Sequence, residues 1–311
     1  MKQIVECVPN LSEGRDQNKI REIAAVVPRP GVKLLDVSSD PDHNRSVITF
    51  AGRPGAVMLA AFRLIKKTAA LIDMAGHSGK HPRLGAVDVC PFIPVTGTTP
   101  DYCAQLAYEL GDMVGRKLNL SGYYYGAAAR CPERKKLSDI RQGEYEGLSD
   151  KLKKAEWRPD FGPAVFNPKF GCTVIGARNF LIAYNVNLDS RDMALANGIA
   201  RLLRSSGGIS VIGTDKRRIP GIFPSVQAIG VELAARQQVQ VSMNLMDYSA
   251  APVYIVFETV KRMASLAGVR VAGSEIVGLA PESALNDVPF EYLQLENFNP
   301  KKQIIEEALG L

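Results

Sequence analysis

Histidine, tryptophan and long apolar runs are scarce in this sequence. Its 311 residues include only three histidines and one tryptophan, and aromatic residues make up 7% of the chain. No apolar run approaches the length of a membrane-spanning helix, and the opening residues MKQIVECVPNLSEGRD contain no sustained apolar segment. We therefore expect a cytoplasmic protein with no membrane partner.

Cysteine is too sparse and too scattered to build a cross-linked or zinc-bound scaffold. The chain has five cysteines, an odd number, and no two of them form a CxxC motif. We expect reduced and mostly buried thiols at Cys7, Cys90, Cys103, Cys131 and Cys172.

Positive charge is in modest excess, at a formal +6, and it is dispersed along the chain. Two short basic clusters stand out, and neither is interleaved with the aromatic residues that stack on nucleic-acid bases. We expect both to be solvated surface. The charge fits a carboxylate-rich metabolite at least as well as a nucleic acid, and since no nucleic-acid motif is present we expect no nucleic-acid partner. The clusters are Lys151, Lys153, Lys154 and Lys216, Arg217, Arg218.

The spacing of apolar residues predicts the same order of elements twice along the chain: strand, helix, strand, strand, helix, strand. In the first half these elements are residues 2–9, 16–27, 32–37, 46–51, 55–72 and 87–95. In the second half they are residues 179–188, 191–203, 226–233, 239–245, 253–267 and 269–277. The strand openings VECVPNLSEGRD and IAYNVNLDSRD are also loosely alike, which suggests an internal duplication.

This order predicts an α+β fold class with two ferredoxin-like βαββαβ subdomains. We expect them to span residues 1–178 and 179–299, with a C-terminal tail at 300–311. Each should form a four-stranded sheet with helices on one face, and the two sheets should face one another across a ligand cleft. Additional elements are expected at 101–118 (helix), 122–126 (edge strand), 150–155 (short helix) and 160–171 (ordered loop rich in glycine and proline).

The most unusual chemistry lies in the stretch GHSGKHPRLGAVDVCPFIP, where His77 and His81 fall on a glycine-rich connection between a predicted helix and a predicted strand. Gly79 and Lys80 do not make a phosphate loop, because the spacing is short of GxxxxGK and no Ser or Thr follows the lysine. A zinc site is not expected either. Glycines and a proline interrupt the helix that a pair of histidines four residues apart requires, and the glutamate of an HExxH motif is missing.

Of the three histidines, His81 is the strongest candidate for catalysis. Pro82 stiffens its backbone, and Arg83 adds a fixed cation that suits an anionic substrate. His77 lies among flexible glycines, and His43 lies in a polar turn where a histidine is commonly only solvated.

Four polar residues fall at the ends of predicted strands in the first half of the chain, where loops cluster. We expect them to line the ligand cleft together with His81. They are Asn10, Asn44, Arg45 and Arg83.

Five long motifs follow one another along the chain. They are VECVPNLSEG at 5–14, NRSVITF at 44–50, HPRLGAVDVCPFIPV at 81–95, IRQGEYEGL at 140–148 and KAEWRPDFGP at 154–163. With GARNFLIAYNVNL and NFNPKKQIIEEAL, these motifs cover essentially the whole chain and resemble those of the glutamate formimidoyltransferases, the formiminotransferases of histidine breakdown. The chain resembles the stand-alone form, which is similar to the N-terminal part of formimidoyltransferase-cyclodeaminase.

The resemblance implies transfer of a formimino group from N-formimino-L-glutamate to N5 of tetrahydrofolate, giving 5-formiminotetrahydrofolate and glutamate. It implies that His81, in the HPR motif, is catalytic, that tetrahydrofolate is the co-substrate, and that no metal takes part. A homodimer is expected. The implied folate-contacting segment consists of Gly162, Pro163, Ala164, Val165, Phe166, Asn167, Pro168, Lys169, Phe170 and Gly171.

The chemistry of this transfer suits a histidine. Attack by a secondary amine on an amidine carbon must release a proton, and departure of the glutamate nitrogen requires one. A histidine with a pKa near neutrality serves both steps, so the rate should depend on an ionisation not far from neutral pH.

Two other functions stay open from the sequence. A related enzyme could handle 5-formyltetrahydrofolate, either by moving the formyl group to glutamate or by cyclising it with ATP, since formyl and formimino groups differ only by oxygen for nitrogen. A non-catalytic protein could merely bind folate. RNA binding is disfavoured, because no strand carries the aromatic runs of an RNA-recognition motif.

Overall fold

The computed structural model describes residues 3–79, 81–212 and 215–311. The chain divides into two units, Met1–Arg178 and Asn179–Leu311, and each combines helices with sheet in a mixed α+β fold. Lys2, in the first expected strand, and Lys80, in the glycine-rich connection, lie outside the described residues. No helix in the described ranges is long and apolar enough to cross a membrane.

Seven strands of the first unit form one sheet. They are β1 (Ile4–Cys7), β2 (Asn10–Leu11), β3 (Val32–Asp40), β4 (Arg45–Gly52), β5 (Val87–Thr96), β6 (Gly122–Gly126) and β7 (Thr173–Ala177). Both β1 and β2 pair with β4 and β5, so the order across the sheet is β3, β4, β1 with β2, β5, β7, β6.

The expected sheet of four strands is therefore too small for the first unit. The pairings from β3 to β5 are antiparallel, but β7 runs parallel to both β5 and β6 and extends the sheet, with β6 at its edge. Parallel neighbours need long crossover connections, and the chain supplies them after β5 and after β6. The edge strand was expected at 122–126, whereas β7 was not predicted from the sequence.

The helices of the first unit are α1 (Gln17–Ala24), α2 (Pro54–Leu71), α3 (Pro100–Leu118), α4 (Leu137–Ile140) and α5 (Leu148–Lys151). Proline stands at the first position of α2 and α3, where its missing N–H costs nothing. The side chain of Asp16 caps α1 by accepting hydrogen bonds from two backbone N–H groups. Apolar faces of α2 and α3 pack on one side of the sheet, with Leu64 and Leu110 in the same core as Val5 and Phe50.

The opposite side of this sheet has its own apolar cluster. Tyr123 and Tyr125 point there from β6, because side chains alternate along a strand, and Val174 joins them from β7. Ile140 and Leu148, from α4 and α5, cover these residues. The segment 131–157, which has little periodicity of its own, is therefore held in place by the core that it covers.

The second unit contains a four-stranded antiparallel sheet in the order β11, β12, β8, β13. A separate hairpin, β9 with β10, precedes β11. The strands are β8 (Ile182–Leu188), β9 (Gly208–Ile212), β10 (Asp215–Ile219), β11 (Val226–Leu233), β12 (Gln238–Leu245) and β13 (Val271–Val277). The helices are α6 (Met193–Leu203), α7 (Val253–Leu266), α8 (Pro300–Gln303) and α9 (Ile305–Leu309).

Two features of the second unit were not foreseen. Only a solvated basic cluster was expected where the hairpin lies, and its residues Lys216, Arg217 and Arg218 are exposed on β10. The residues expected to form a tail contain α8 and α9, and Ile304 and Ile305 are buried there. All five cysteines are free thiols, and Cys131 is the one that is not fully buried.

Close packing at Gly85 gives a test of the first unit. A Cβ atom at Gly85 would lie 2.4 Å from the carbonyl oxygens of Phe170 and Cys172. We expect Gly85→Ala to lower the free energy of unfolding by about 1–3 kcal/mol, because the added methyl group overlaps these backbone oxygens and the packed segments must shift to make room. Chemical denaturation measures this change.

Gly55→Ala is the matched control, since a Cβ at Gly55 in α2 would have no atom within 4 Å. Equal stability of the two variants would show that Gly85 is not tightly packed.

Candidate active site

All three histidines of the chain line one narrow crevice in the first unit. It lies beside β2, the start of β4 and the connection between α2 and β5, which we call the histidine loop (residues 72–86). Its free volume is about 10 Å³, room for about one water molecule. The lining residues are Asn10, Leu11, Ser12, His43, Asn44, Arg45, His77, His81, Arg83 and Asp88.

Five residues that were predicted from the sequence to belong to the site lie together in this crevice. They are His81 and the four polar residues at strand ends. A wider depression of about 500 Å³ shares His77 and Arg83 with it and is lined further by Gly143, Glu144 and Glu146. That volume lies within the usual range of small-molecule sites.

Asn44 ties three loops together at the crevice. Its backbone is in the left-handed region, with φ of 49°, which asparagine tolerates better than most residues. Its side-chain oxygen accepts a hydrogen bond from the backbone N–H of Gly14 at 2.9 Å, and its amide donates to the carbonyl of Ser78 at 2.9 Å. Both polar groups of the Asn44 side chain are therefore used inside the protein.

His77 is held in one neutral form by its two neighbours. Arg83 Nε donates to His77 Nδ1 at 3.2 Å, so Nδ1 must be unprotonated. His77 Nε2 then carries the proton and donates to the carbonyl oxygen of Asn44 at 3.2 Å. Burial and the charge of Arg83 lower the pKa of His77, in keeping with this assignment. With both ring nitrogens engaged, His77 is placed to orient neighbours and not to move protons.

Arg83 is bound within the protein more fully than the sequence suggested. Its side chain is buried, and Nη1 and Nη2 donate to the carboxylate of Glu146 at 2.9 and 2.5 Å. Nη1 also donates to Glu144 at 3.1 Å. We expected this guanidinium to bind an anionic substrate, but it already donates hydrogen bonds to two glutamates and to His77.

Arg45 has a different environment, because its described partner is neutral. Nε and Nη2 both donate to the side-chain oxygen of Asn10, the first at 2.8 Å. Asn10 is fixed in turn by donating to the carbonyl of Val8 at 3.0 Å. Burial lowers the pKa of Arg45, and the nearby charge of Arg141 lowers it further.

Asp88 and Arg141 form an ion pair that the sequence analysis missed. Asp88, on β5, is buried and lines the crevice. It accepts from Arg141 Nε at 3.4 Å, from Arg141 Nη2, and from the backbone N–H of Leu84 at 3.0 Å. The signal was available, since an aspartate between Val87 and Val89 in an otherwise apolar strand demands a buried partner.

Lys151 corrects one of the surface assignments. It was expected in a solvated cluster, but it is buried, and its Nζ donates to the carbonyls of Ile140 and Gln142, the second at 3.0 Å. Nζ also lies 3.9 Å from the centre of the Trp157 ring. Burial lowers the pKa of Lys151 to about 8. The lysine is stable there because backbone carbonyls and an aromatic face replace its water.

His81 is half-buried in the crevice, and its environment disfavours the imidazolium form. Burial lowers the pKa of His81 to about 4, with the positive charges of Arg45 and Arg141 acting in the same direction. These effects place the pKa of His81 below the near-neutral range that we expected. His81 is a neutral base at physiological pH.

The segment 162–171 is fixed at both ends and open in the middle. Phe161 and Phe170 are buried, whereas Val165 is 67% exposed. Gly162 and Gly171 have φ of 74° and 73°, and a Cβ at either would lie within 2.2 Å of a backbone oxygen. Glycine is required at both positions.

Two contacts connect this segment to the surroundings of the crevice. The carbonyl of Lys169 accepts from the backbone N–H of Met74, just before His77, at 2.9 Å. The hydroxyl of Tyr145 donates to the carbonyl of Pro168 at 2.5 Å. Residues of the segment do not themselves line the crevice. Gly162 and Pro163 line a separate depression of about 580 Å³ near α3.

The comparison with known families agrees with the motifs. The Formiminotransferase domain, N-terminal subdomain, matches residues 4–178, and the Formiminotransferase domain matches residues 183–309. The chain belongs to the formiminotransferase family. The resemblance seen in the sequence is thereby confirmed.

Curated relatives of this formiminotransferase extend over its whole length. It is 42% identical over 310 residues to the glutamate formimidoyltransferase of Streptococcus pyogenes serotype M1, covering 99% of each chain. It is 44% identical to the glutamate formimidoyltransferase of Thermoplasma acidophilum, covering 95% of this chain and 94% of that one. It is 47% identical to the formimidoyltransferase-cyclodeaminase of Sus scrofa, covering 96% of this chain but only 54% of that longer protein.

The charge environment of His81 in this formiminotransferase can be measured directly. We expect an NMR titration to give a His81 pKa of about 4. Arg45→Met should raise that pKa toward the ordinary value, because removing a nearby positive charge favours the imidazolium. Arg21→Met is the control, since Arg21 also donates to an asparagine oxygen but lies exposed on α1.

With three histidines in the chain, His43→Gln and His77→Gln suffice to assign the signals. An unchanged His81 pKa in Arg45→Met would show that Arg45 does not act on this ring.

Proposed function

We propose that this chain transfers the formimino group of N-formimino-L-glutamate to N5 of tetrahydrofolate, giving 5-formiminotetrahydrofolate and L-glutamate. The observation that carries the proposal is its 42% identity to a curated glutamate formimidoyltransferase over 99% of both chains. Tetrahydrofolate is the co-substrate of this reaction.

In the proposed mechanism His81 acts first as a base. N5 of tetrahydrofolate attacks the amidine carbon, a new N5–C bond forms as the carbon–nitrogen double bond opens onto its nitrogen, and the proton leaving N5 passes to the imidazole. The position of His81 in the crevice supports this step, and the lowered pKa keeps its imidazole in the unprotonated form that can accept a proton.

His81 then acts as an acid. The carbon–nitrogen double bond re-forms, the bond between the formimino carbon and the glutamate nitrogen breaks, and the imidazolium returns its proton to that nitrogen. An imidazolium that is disfavoured by burial and by two arginines gives up its proton readily, which assists departure of the amine.

The segment 162–171 is proposed to contact the folate. Its fixed ends and exposed middle support this role, because the backbone there can lie against a planar ligand without rearranging. The contacts of Lys169 and Tyr145 would relate the folate position to the histidine loop.

Asn10, Asn44, Arg45 and Arg83 are proposed to surround the bound substrates. Arg45 is the one suited to direct contact, since its described hydrogen bonds use a neutral partner. Asn44 and Arg83 are suited to positioning, because their polar groups already hold the loops together.

Some expectations remain predictions. They are the ferredoxin-like form of each unit, two sheets facing one another across a ligand cleft, a homodimer, a cytoplasmic location and a reaction without a metal. Within the described residues, no group of three or more His, Cys, Asp or Glu side chains could hold a metal ion.

Replacing His81 tests the assigned chemistry. We expect His81→Ala to lower turnover by about a hundredfold to ten-thousandfold, the usual contribution of one positioned acid and base. Tetrahydrofolate binding should survive, because it depends on other residues. Steady-state kinetics and a binding titration measure the two effects.

His43→Gln is the matched control, since His43 lines the same crevice but is half exposed and paired with Asp40 at 2.7 Å. Near-normal turnover in His81→Ala, or a comparable loss in His43→Gln, would contradict the assignment.

The donor can be identified in one assay. Wild-type protein with tetrahydrofolate should release glutamate from formiminoglutamate. The reverse formyl reaction, supplied with 5-formyltetrahydrofolate and glutamate, should be much slower, and ATP should not change either rate. Faster use of the formyl donor would favour the related formyl-handling enzyme, and binding of tetrahydrofolate without turnover would favour a non-catalytic folate-binding protein.

A further inference from the structure

The crevice around His81 contains more positive than negative charge. Arg45 lines the crevice, and Asp88 is the acidic residue that lines it among the residues described. Arg141 is not a lining residue, but it acts on His81 together with Arg45. Asp88 is already bonded to Arg141. Within this cluster, one carboxylate therefore faces two guanidinium groups.

Other charged groups nearby do not remove this excess. Glu144 and Glu146 are both engaged with Arg83. Asp40 attracts Arg45, but it does so from an exposed position where it also hydrogen-bonds to His43, so solvent screens its charge. Arg45 is partly buried, and a positive charge partly removed from water without a close counter-ion is stabilised by an anionic ligand.

The neutral polar groups of the crevice are also occupied. The oxygen of Asn10 accepts from Arg45, and the oxygen of Asn44 accepts from Gly14. Both ring nitrogens of His77 are engaged. In the described part of the chain, the hydrogen bonds of Arg45 and Arg141 use Nε and Nη2 and leave Nη1 of each for another acceptor.

Arg141 is held firmly enough to form part of a binding site. Lys151 donates to the carbonyls of Ile140 and Gln142, the residues on either side of Arg141. Asp88 fixes the guanidinium itself through two of its nitrogens. Preorganisation of this kind lowers the entropy lost when a ligand binds.

We propose that Arg45 and Arg141 together bind the α-carboxylate of the amidine donor next to His81. This inference rests on the proposed function and adds the group that recognises the donor. Two guanidinium groups are well suited to a carboxylate, since each offers planar donors with a permanent charge.

The chemistry of the donor favours its α-carboxylate over the other carboxylates present. Only a nitrogen and the α-carbon separate the formimino carbon from that carboxylate. The glutamate tail of folate is separated from N5 by the remainder of the pterin and by the benzoyl ring, so it cannot lie at the same histidine while N5 reacts there.

The bound carboxylate also changes His81. An anion between Arg45 and Arg141 offsets the charges that disfavour the imidazolium, so the pKa of His81 rises when the donor binds. The histidine then becomes a better proton acceptor at the moment when N5 must lose its proton.

Calorimetric titration with L-glutamate, the leaving product, tests the site without requiring turnover. We expect Arg45→Met and Arg141→Met each to weaken L-glutamate binding by about 10- to 100-fold, the effect of losing a charged hydrogen bond. The control Arg21→Met, in which an exposed arginine loses a similar bond to an asparagine, should bind as the wild type does.

Two further ligands identify which carboxylate is bound. 4-Aminobutyrate lacks the α-carboxylate, so the wild type should bind it more weakly than L-glutamate, and both variants should lose that preference. p-Aminobenzoyl-L-glutamate represents the folate tail, and its affinity should be the same in all forms. If the variants instead lose affinity for p-aminobenzoyl-L-glutamate and keep their affinity for L-glutamate, the two arginines bind the folate tail and the inference is wrong.

Arg45→Met keeps the test decisive if Arg141→Met does not fold. Removing Arg141 leaves the buried carboxylate of Asp88 without a cation, whereas removing Arg45 leaves only the neutral Asn10 without its partner. Unchanged L-glutamate affinity in folded Arg45→Met would overturn the inference. Absence of formimino transfer in a wild type that binds L-glutamate through this pair would refute the reaction and leave the carboxylate site standing.

Discussion

The ion pair between Asp88 and Arg141 is the interaction on which the candidate active site depends. Asp88 is buried, so it requires a cation, and Arg141 reaches it from the segment that covers the far side of the sheet. Lys151 holds the backbone on both sides of that arginine. Arg45 adds a second cation, and burial together with these two charges lowers the pKa of His81. The crevice is therefore prepared for an anionic ligand and for a histidine that first accepts a proton.

The polar residues around the crevice form two groups: those whose polar groups are all bonded within the protein, and those that still have a donor or acceptor for a ligand. Arg83 donates hydrogen bonds to His77 and to two glutamates, and Asn44 joins three loops through its side-chain hydrogen bonds. Such groups hold the site in shape but have little capacity for a substrate. His81 and Arg45 are partly buried and keep hydrogen-bonding capacity that a ligand can use.

Sequence patterns predicted the elements of this fold better than the partners of its buried charges. Periodicity gave the long helices to within a few residues, and the HPR motif drew attention to His81. The position of Arg83 beside His81 suggested an anion site. In the structure, its guanidinium binds two glutamates that lie 61 and 63 residues away in the chain, and a single sequence cannot show such contacts. Lys151 was misjudged for the same reason, since a run of lysines resembles solvated surface until tertiary packing places carbonyls and an aromatic ring around one of them. The low pKa of His81 likewise arises from residues distant in sequence.

A structure of the His81→Ala variant with formiminoglutamate and tetrahydrofolate bound would test this account most directly. The account predicts that the formimino carbon lies beside the position vacated by the imidazole, with N5 of the folate facing it and the donor's α-carboxylate between Arg45 and Arg141. Binding of both substrates away from this crevice, or an α-carboxylate that contacts neither arginine, would contradict it.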